Sequence, residues 1–437
     1  MARIHLGPLQ RAIVVENPSI VLDTQLKAAG VEVLRLKETP TTDELISLIQ
    51  AHSIQALFKR SRVPVGRNLV ESCPSLLAVN LCCIGDDSVD KQACADHGVM
   101  VCNDPISNGR SVVEMVVAHL ITLSRRFYET NERTRLGAWE KNNHQRYEVR
   151  GKVLGVLGLG NIGRSVARVA AALGMQVQFY DTRQVSVELG RELGWRSVSS
   201  IDDLFASSDY VTVHLSARDI FGHSNAALLS RQTLMKLGSE RPENSPRIFL
   251  NLSRGFLHTA EDLKAAIEAG QIRRAAVDVF PVEPRGGTGW TNPYADMSGV
   301  ITTPHIGAST QEAQPRIAQR ISKTFSDFSR QGSLRDCVFS PRMGLKLPTR
   351  HSGGGVVLAV MHSTARGTKR AIDNAIFDAG ASNLSSAHQD FEHLGVAYDL
   401  AMLDKGLSAE LIDALVASAA AVTGDPDAIR SVRQIAL

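Results

Sequence analysis

Three side chains in the second half of the chain have types that complement one another chemically. Arg254, Glu283 and His305 each follow an apolar segment that is typical of a β-strand. A guanidinium can hold a carboxylate through two parallel hydrogen bonds. An imidazole titrates near neutrality, and a neighbouring carboxylate orients the ring and stabilises its cation. Together these groups could bind a hydroxy acid and exchange a proton with its hydroxyl group.

A glycine-rich turn upstream could hold the matching redox cofactor. The segment Gly158-Leu159-Gly160-Asn161-Ile162-Gly163 separates a predicted buried strand from a predicted helix. Such a turn allows a pyrophosphate to approach the backbone, and the helix N-terminus attracts the phosphates. Asp181 ends the next predicted strand, where a carboxylate accepts hydrogen bonds from the adenosine ribose and repels a 2′-phosphate. The pattern therefore predicts NAD rather than NADP, although the nearby Arg183 weakens this preference.

With NAD as the hydride acceptor, the proton step has two directions. Oxidation of the alcohol needs neutral His305 as a base, and reduction needs its imidazolium form as an acid. Asp278, at the end of another predicted strand, could bind the nicotinamide carboxamide. An isolated arginine is often a surface ion pair, and a lone histidine is more often structural than catalytic. The interpretation therefore depends on the joint pattern.

The rest of the chain alternates strand-like and helix-like segments, which is typical of α/β domains with parallel sheets. One series ends near Cys102 and a second begins near Lys152. The segment Pro341 to Gly355 is rich in Pro, Gly and basic residues, which predicts a linker. A strand, helix, strand, helix pattern follows and predicts a small α+β tail domain.

Composition limits the classes of protein to which the chain can belong. The 437 residues are 43% hydrophobic and 21% charged, with a formal net charge of +3. This composition is ordinary for a globular protein of two or three domains and gives no support for nucleic-acid binding. The six cysteines form no CxxC pair, and no apolar run approaches the ~18 residues of a membrane span. We expect a cytoplasmic protein with no membrane partner and no metal site.

Five segments carry a resemblance to a known family: Ser107 to Glu114, Gly158 to Gly163, Asn251 to Gly255, Ala276 to Pro284 and Thr303 to Ala313. The chain resembles the D-isomer-specific 2-hydroxyacid dehydrogenases, strongly between about residues 55 and 325 and weakly in the tail. The resemblance implies a Rossmann-type NAD-binding domain inserted into a flavodoxin-like substrate-binding domain. The implied boundaries are 110–309 for the former, 1–109 and 310–345 for the latter, and 350–437 for the tail domain.

The resemblance also implies the site residues. The expected catalytic residues are Arg254, Glu283 and His305. The expected cofactor contacts are Gly158, Gly160, Asn161, Ile162, Gly163, Asp181, Leu252, Ser253, Arg254, Asp278, His305, Ile306, Gly307 and Ala308. The expected substrate contacts are Lys37, Arg60, Ser61, Arg62, Cys83, Ile84, Gly85, Asn108, Trp139 and Lys141. The basic members of this set suit a phosphate group. By resemblance, Trp139 and Lys141 reach the site of a neighbouring subunit.

These residues imply NAD-dependent oxidation of 3-phospho-D-glycerate to 3-phosphohydroxypyruvate, the first step of L-serine synthesis, by a homodimer or homotetramer. Another 2-hydroxy acid such as 2-hydroxyglutarate is an alternative substrate. A non-enzymatic, NAD-sensing corepressor on the same scaffold is an alternative function. The chain departs from the family pattern at Gly109, where threonine is usual, and at His214-Leu215-Ser216, where His-Val-Pro is usual. The polar insertion Gly238 to Pro246 has no assigned role.

The tail resembles an ACT-type regulatory domain, in which paired subunits bind serine between them. His362, Thr364 and Asn383 fall where the family has effector ligands. Thr364 offers one hydroxyl in place of an amide, and Arg366 also departs from the pattern. The sequence therefore leaves two alternatives open, serine inhibition and a purely structural dimerisation domain.

Overall fold

The computed structural model describes residues 2–219, 222–284, 289–340, 343–347 and 354–437. Its contacts divide the chain into two compact units. One consists of Met1–Ser107 together with Gln314–Leu437, and the other is Asn108–Ala313. No helix of the described part is long and apolar enough to cross a membrane.

The first part of the chain alternates strands and helices. In chain order the elements are β1 (Arg3–Leu6), β2 (Arg11–Val14), α1 (Val21–Ala28), β3 (Glu32–Arg35), α2 (Thr42–Ala51), β4 (Ala56–Lys59), α3 (Arg67–Ser72), β5 (Ala78–Leu81), α4 (Lys91–Asp96) and β6 (Met100–Asn103). Strands β2 to β6 form a parallel sheet in the order β3-β2-β4-β5-β6. Counted from β2, this is the flavodoxin-like order 2-1-3-4-5, as predicted.

The second unit repeats the alternation. Its elements are α5 (Gly109–Arg125), α6 (Phe127–Arg135), β7 (Val153–Leu157), α7 (Asn161–Ala172), β8 (Gln176–Tyr180), α8 (Gln184–Glu192), β9 (Arg196–Ser197), α9 (Ile201–Ala206), β10 (Tyr210–Val213), α10 (Arg231–Leu234), β11 (Ile248–Asn251), α11 (Ala260–Glu268), β12 (Arg274–Val277) and β13 (Val300–Thr302). The strands form one parallel sheet in the order β13-β12-β11-β10-β7-β8-β9. The order reverses between β7 and β10, as in a Rossmann fold, and this confirms the predicted class.

The remaining elements complete the first unit. They are α12 (Ala313–Gln331), β14 (Leu334–Cys337), β15 (Met343–Leu345), β16 (Val356–Ser363), α13 (Thr368–Asp378), β17 (Asn383–Phe391), β18 (Val396–Leu403), α14 (Ala409–Thr423) and β19 (Ile429–Ala436). Strand β14 extends the first sheet by pairing antiparallel with β6 and β15. Strand β15 lies inside the predicted linker 341–355, so that prediction was wrong at residues 343–345. Residues 341–342 and 348–353 of the linker lie outside the described part.

The tail forms its own sheet, in the order β1-β19-β16-β18-β17. From β16 to β19 the chain runs β-α-β-β-α-β, which is the ferredoxin-like arrangement. Strand β1 joins this sheet in parallel with β19, so the N-terminus of the chain completes the tail sheet. Tyr398 Oη donates to the Gly332 carbonyl at 2.7 Å, and the Arg433 guanidinium donates to the Phe328 and Ser329 carbonyls at 2.9 and 2.6 Å. These buried hydrogen bonds join the tail to the end of α12.

The insertion 238–246 has a structural role that the sequence did not indicate. The Arg241 guanidinium donates to the Asp209 carboxylate at 3.1 and 3.2 Å. The Asp209 side chain is almost fully buried and also accepts the Val153 backbone N–H at 2.8 Å. Because a buried carboxylate without a partner would be costly, Arg241 compensates a charge at the start of β7.

Candidate active site

The glycine turn has the backbone geometry that a dinucleotide cradle requires. Strand β7 is buried along its whole length and ends at Gly158, whose φ of +90° suits glycine alone. A Cβ on Gly163 would lie 2.0 Å from the Gly158 carbonyl oxygen, so only glycine lets α7 pack this closely. A Cβ on Gly160 would meet its nearest neighbour, Arg183 Nη2, at 3.7 Å. The space above Gly160 is therefore compatible with a close ligand.

The N-terminus of α7 is suited to a phosphate. The N-cap residue of the helix is Gly160, which has no side chain that could cap the first amides. It also lies after the strand at which the sheet order reverses, where open α/β sheets bind their ligands. Since the first amides and the helix dipole favour negative charge, these residues fit the pyrophosphate of a dinucleotide.

Asp181 follows β8, and its carboxylate binds the backbone of the glycine turn. Its Oδ2 accepts the Leu159 N–H at 2.7 Å and Arg183 Nη2 at 2.8 Å, and its Oδ1 accepts the Arg183 N–H at 2.8 Å. Burial alone would raise the pKa of Asp181, but these hydrogen bonds outweigh it and lower the pKa below its usual value. The carboxylate is therefore ionised at neutral pH and has an arginine beside it.

The loop after β11 presents Arg254. The buried Asn251 side chain shapes this loop, because its Oδ1 accepts the Ser253 N–H at 3.1 Å and its Nδ2 donates to the Arg254 carbonyl at 2.9 Å. A Cβ on Gly255 would lie 2.0 Å from the carbonyl carbon of Phe280. The backbone that carries Arg254 thus touches the backbone that leads to Glu283, and glycine is required for the contact.

A second loop, residues 303–307, follows β13 and carries His305. The Asp278 carboxylate accepts Thr303 Oγ1 at 2.5 Å, the Ile306 N–H at 2.9 Å and the Gly307 N–H at 2.8 Å. Asp278 is buried, and these three hydrogen bonds fix the conformation of the loop. The backbone of His305 has a φ of +53°, which is uncommon for a residue other than glycine. Such a conformation persists only where its surroundings enforce it.

His305 and Glu283 form a direct pair. His305 Nδ1 lies 2.7 Å from Glu283 Oε2, while Glu283 Oε1 accepts the Phe280 N–H at 3.2 Å. Since Nδ1 donates to the carboxylate, Nε2 is the ring nitrogen that can exchange a proton with a substrate. Both side chains are partly exposed, so a ligand can reach them.

The charges around this pair tune its titration. The hydrogen bond that His305 donates to Glu283 raises the pKa of His305, against the opposing effects of burial and of the Arg254 charge. Burial would raise the pKa of Glu283, but the His305 hydrogen bond and the Arg254 charge lower it. Arg254 thus acts electrostatically on both partners. The structure brings together the three residues that the sequence selected, and their arrangement can bind a carboxylate and transfer a proton.

The predicted phosphate-binding residues lie at one edge of the sheet in the first unit. Lys37 follows β3, and Arg60-Ser61-Arg62 directly follows β4. Glu16 holds the latter loop, because its Oε1 accepts the Arg62 N–H at 2.5 Å and the Val63 N–H at 2.8 Å. Because β3 and β4 run parallel in one sheet, these basic residues share its carboxyl edge.

The other predicted substrate contacts divide into two groups. Cys83-Ile84-Gly85 follows β5 at the same edge, where the Ile84 carbonyl accepts Asn103 Nδ2 at 2.6 Å. Asn108 begins α5 in the second unit, and its buried Oδ1 has no hydrogen-bond partner among the described residues. A buried polar atom without a partner is rare and often marks a ligand contact. Trp139 is 86% exposed and Lys141 is also exposed, in the segment between α6 and β7.

The residues predicted to bind an effector differ in exposure. His362 is buried, whereas Thr364 and Asn383 are exposed. Strands β16 and β17 both pair with β18. His362 on β16 lies opposite Ala397, and Asn383 on β17 lies opposite Leu403, at the other end of β18. One chain therefore presents them at different points of its sheet, and their role as effector ligands stays a prediction.

Three supporting residues were not predicted from the sequence, namely Glu16, Asn251 and Thr303. The role of Asp278 in fixing the 303–307 loop was missed as well, and its predicted nicotinamide contact stays a prediction. Polar residues that directly follow buried strands were the available signal, because they lie at the sheet edge where loops must be held.

This geometry agrees with the comparison of the chain with known proteins. Residues 117–307 match the family described as "D-isomer specific 2-hydroxyacid dehydrogenase, NAD binding domain". The chain belongs to the D-isomer-specific 2-hydroxyacid dehydrogenases and is an NAD-dependent oxidoreductase.

Its relatives indicate a narrower group. The D-3-phosphoglycerate dehydrogenase of Haemophilus influenzae is 34% identical over 325 residues, covering 74% of this chain and 75% of that protein. The D-3-phosphoglycerate dehydrogenase of Escherichia coli (strain K12) is 32% identical over 397 residues, covering 88% of this chain and 90% of that protein. A solved 2-hydroxyacid dehydrogenase from Ketogulonicigenium vulgare Y25 is 26% identical with a TM-score of 0.61, covering 77% of this chain and 98% of that chain.

Proposed function

We propose that the protein oxidises 3-phospho-D-glycerate to 3-phosphohydroxypyruvate with NAD, the entry reaction of L-serine synthesis. The observation that carries the proposal is the His305–Glu283 pair beside Arg254, in the same unit as the glycine turn. The relatives named D-3-phosphoglycerate dehydrogenase support the choice of substrate.

The residues of the trio have separate tasks in this reaction. Arg254 binds the substrate carboxylate and so fixes the hydroxyl-bearing carbon. Neutral His305 takes the hydroxyl proton on Nε2, and Glu283 stabilises the imidazolium that forms. The chemistry that bound NAD supplies is acceptance of the hydride from that carbon. In the reverse direction the His305 imidazolium returns the proton to the carbonyl oxygen, which the raised pKa of His305 favours.

The basic carboxyl edge of the first sheet supports a phosphorylated substrate. Arg60 and Arg62 follow β4 and Lys37 follows β3, two parallel strands on either side of β2. Glu16 holds the backbone of the Arg60–Arg62 loop. A hydrogen bond to a charged group contributes about 1.5–3 kcal/mol. Each arginine that binds the phosphate should therefore change kcat/KM by about tenfold to a hundredfold.

A substrate panel tests this proposal. NADH formation is measured with 3-phospho-D-glycerate and with 2-hydroxyglutarate, using the wild type, Arg60→Gln and a matched control, Arg67→Gln, on the surface of α3. We expect Arg60→Gln to lower kcat/KM strongly for the phosphorylated acid alone and Arg67→Gln to change neither. Equal loss on both acids, or a wild type that prefers 2-hydroxyglutarate, would refute the substrate assignment. No NADH with any acid would favour the corepressor function.

We propose that the chain forms a homo-oligomer, a dimer or a tetramer. Large apolar side chains of α5, α6 and the segment after them are exposed, at Ile121, Phe127, Tyr128, Leu136 and Trp139. Exposed apolar residues of this size, close together in sequence, are typical of interaction surfaces. Light scattering of the purified protein should give a mass of two or more chains, and a monomeric mass would contradict the proposal.

The tail is proposed to be an ACT-type regulatory domain. Its ferredoxin-like β-α-β-β-α-β order supports this assignment. His362, Thr364 and Asn383 are the proposed effector ligands, with serine as the proposed effector. Inhibition of NADH formation by added serine would support that role, whereas an unchanged rate would favour a domain that serves dimerisation alone.

A further inference from the structure

Three potential metal ligands meet in the tail sheet. His362 lies on β16, His388 on β17 and Asp399 on β18, and these strands are adjacent. One ligand atom from each residue lies within 4.8 Å of the other two. His388 and Asp399 are direct partners in the β17–β18 register. The ligands are therefore held by rigid strands rather than by loops, which favours a defined geometry.

The hydrogen bonds of the two rings direct one nitrogen of each towards Asp399. His362 Nδ1 lies 2.7 Å from the Ser363 carbonyl oxygen, which can only accept, so this nitrogen carries a hydrogen. His388 Nε2 lies 3.1 Å from Asp390 Oδ1, which likewise accepts. A backbone carbonyl or a carboxylate on the far ring nitrogen is the arrangement that orients histidine ligands of metals.

The near nitrogens then face the two carboxylate oxygens of Asp399. His362 Nε2 is 3.1 Å from Oδ2, and His388 Nδ1 is 2.9 Å from Oδ1. A ring that carries hydrogens on both nitrogens donates to the carboxylate at these distances. A metal ion would displace the near hydrogen and bind the lone pair that it leaves. Ligands of a tetrahedral zinc ion, at about 2.0–2.2 Å from the metal, are separated by roughly 3.4 Å. The two distances between a histidine nitrogen and Asp399 need a small expansion to reach this value, and the three ligand atoms all lie within 4.8 Å of one another.

Access to the cluster is limited to one side. The side chains of His362 and Asp399 are 3% and 5% exposed, whereas that of His388 is 40% exposed. Lys369 Nζ lies 3.1 Å from Asp399 Oδ1, so in the absence of a metal this ammonium group forms an ion pair with the carboxylate. Since the Lys369 side chain is about half exposed, it can move into solvent when a stronger cation binds.

We propose that His362, His388 and Asp399 form a binding site for a divalent transition-metal ion of the zinc class. When the metal is bound, His362 serves it instead of an effector, because both ring nitrogens of His362 are then engaged. Two imidazoles and one carboxylate suit zinc or cobalt better than magnesium or calcium, which prefer oxygen ligands. Water completes the coordination from the exposed side of His388. Sequence alone gave no indication of this site, because its ligands come from three strands with no metal-binding spacing.

Titration of the metal-free, full-length protein with Zn²⁺ tests the site, with a chromophoric chelator as competitor. His388→Gln removes an exposed ligand, so the variant should fold. His393→Gln, which removes an exposed histidine of the same tail, is the matched control. We expect the wild type to bind one Zn²⁺ per chain. His388→Gln should bind it at least about tenfold more weakly, and His393→Gln should bind it as the wild type does. We expect Lys369→Met to bind Zn²⁺ more tightly, because a competing cation is removed.

Cobalt gives a second readout. Bound Co²⁺ in this site should produce the visible absorption of a nitrogen- and oxygen-ligated ion in the wild type and not in His388→Gln. Zn²⁺ binding that is identical in the wild type and His388→Gln would overturn the proposal, as would a wild type that binds no Zn²⁺. Identical binding would assign the metal to other groups. No binding by the wild type would show that the Asp399 carboxylate is paired with Lys369 and with the hydrogens of the two histidines alone. No substrate is needed, so the outcome does not depend on the proposed reaction.

Discussion

Gly255→Ala tests whether catalysis depends on the contact between the two loops that carry the trio. A Cβ at this position would lie 2.0 Å from the Phe280 carbonyl carbon, whereas ordinary contacts begin near 3.4 Å. The Cβ is fixed by the backbone of residue 255 and its neighbour is the backbone of Phe280, so no side-chain rotation can relieve the contact. The loops must therefore separate by about 1.4 Å. Arg254 immediately precedes Gly255, and Glu283 lies three residues after Phe280, so both would move.

The displacement has a predictable cost. A misplacement of about 1 Å can reduce the rate about 10²-fold, and overpacking a filled site costs roughly 1–3 kcal/mol of stability. We therefore expect Gly255→Ala to lower kcat for hydroxy-acid oxidation by about 10²-fold. NAD affinity, measured by titration of protein fluorescence, should change much less, because the turn from Gly158 to Gly163 is unaltered.

The control is Gly66→Ala, since a Cβ on Gly66 meets no atom within 4 Å and its φ is ordinary for an L-residue. Thermal unfolding of both variants separates a loss of fold from a loss of catalysis. If Gly255→Ala is folded and retains wild-type kcat, the loops do not need this contact and the reasoning fails.

The remaining predictions concern the ionisable groups. Glu283→Gln removes the carboxylate that raises the pKa of His305. Oxidation needs neutral His305, so the acidic limb of its pH–kcat/KM profile should move to lower pH in this variant while kcat falls; an unmoved limb would contradict the pairing. Asp181→Asn removes the charge that repels a 2′-phosphate and frees Arg183 from its ion pair. The ratio of kcat/KM with NAD to that with NADP should therefore fall, and an unchanged ratio would show that Asp181 does not select the cofactor.

Local patterns in the sequence were sufficient to predict α/β domains with parallel sheets and to place Arg254, Glu283 and His305 beyond strands. The insertion of one domain into the other came from the family resemblance, and the catalytic roles stay predictions. Continuous apolar runs such as Val153 to Leu157 predict strands buried on both faces, and in a parallel sheet the residues after such strands meet at one edge. Arg254, Glu283 and His305 could be selected for this reason. The structure adds their exact support, including the contact of Gly255 with Phe280 and the three hydrogen bonds to Asp278.

Features that depend on distant pairing could not be predicted. Strand β1 joins the tail sheet although its partner β19 lies at the other end of the chain. Strand β15 forms within a segment whose Pro, Gly and basic residues indicate a linker, because pairing with β14 overrides local composition. The cluster of His362, His388 and Asp399 arises in the same way, from the register of three strands.

The central claim is that His305, paired with Glu283, transfers the proton during oxidation of the hydroxy acid. The most direct measurement is kcat of His305→Asn with 3-phospho-D-glycerate, together with its affinity for NAD. Asparagine tolerates the positive φ at this position, so the loop should keep its conformation. We expect a loss of about 10²–10⁴-fold in kcat with NAD binding retained. A kcat close to that of the wild type would contradict it.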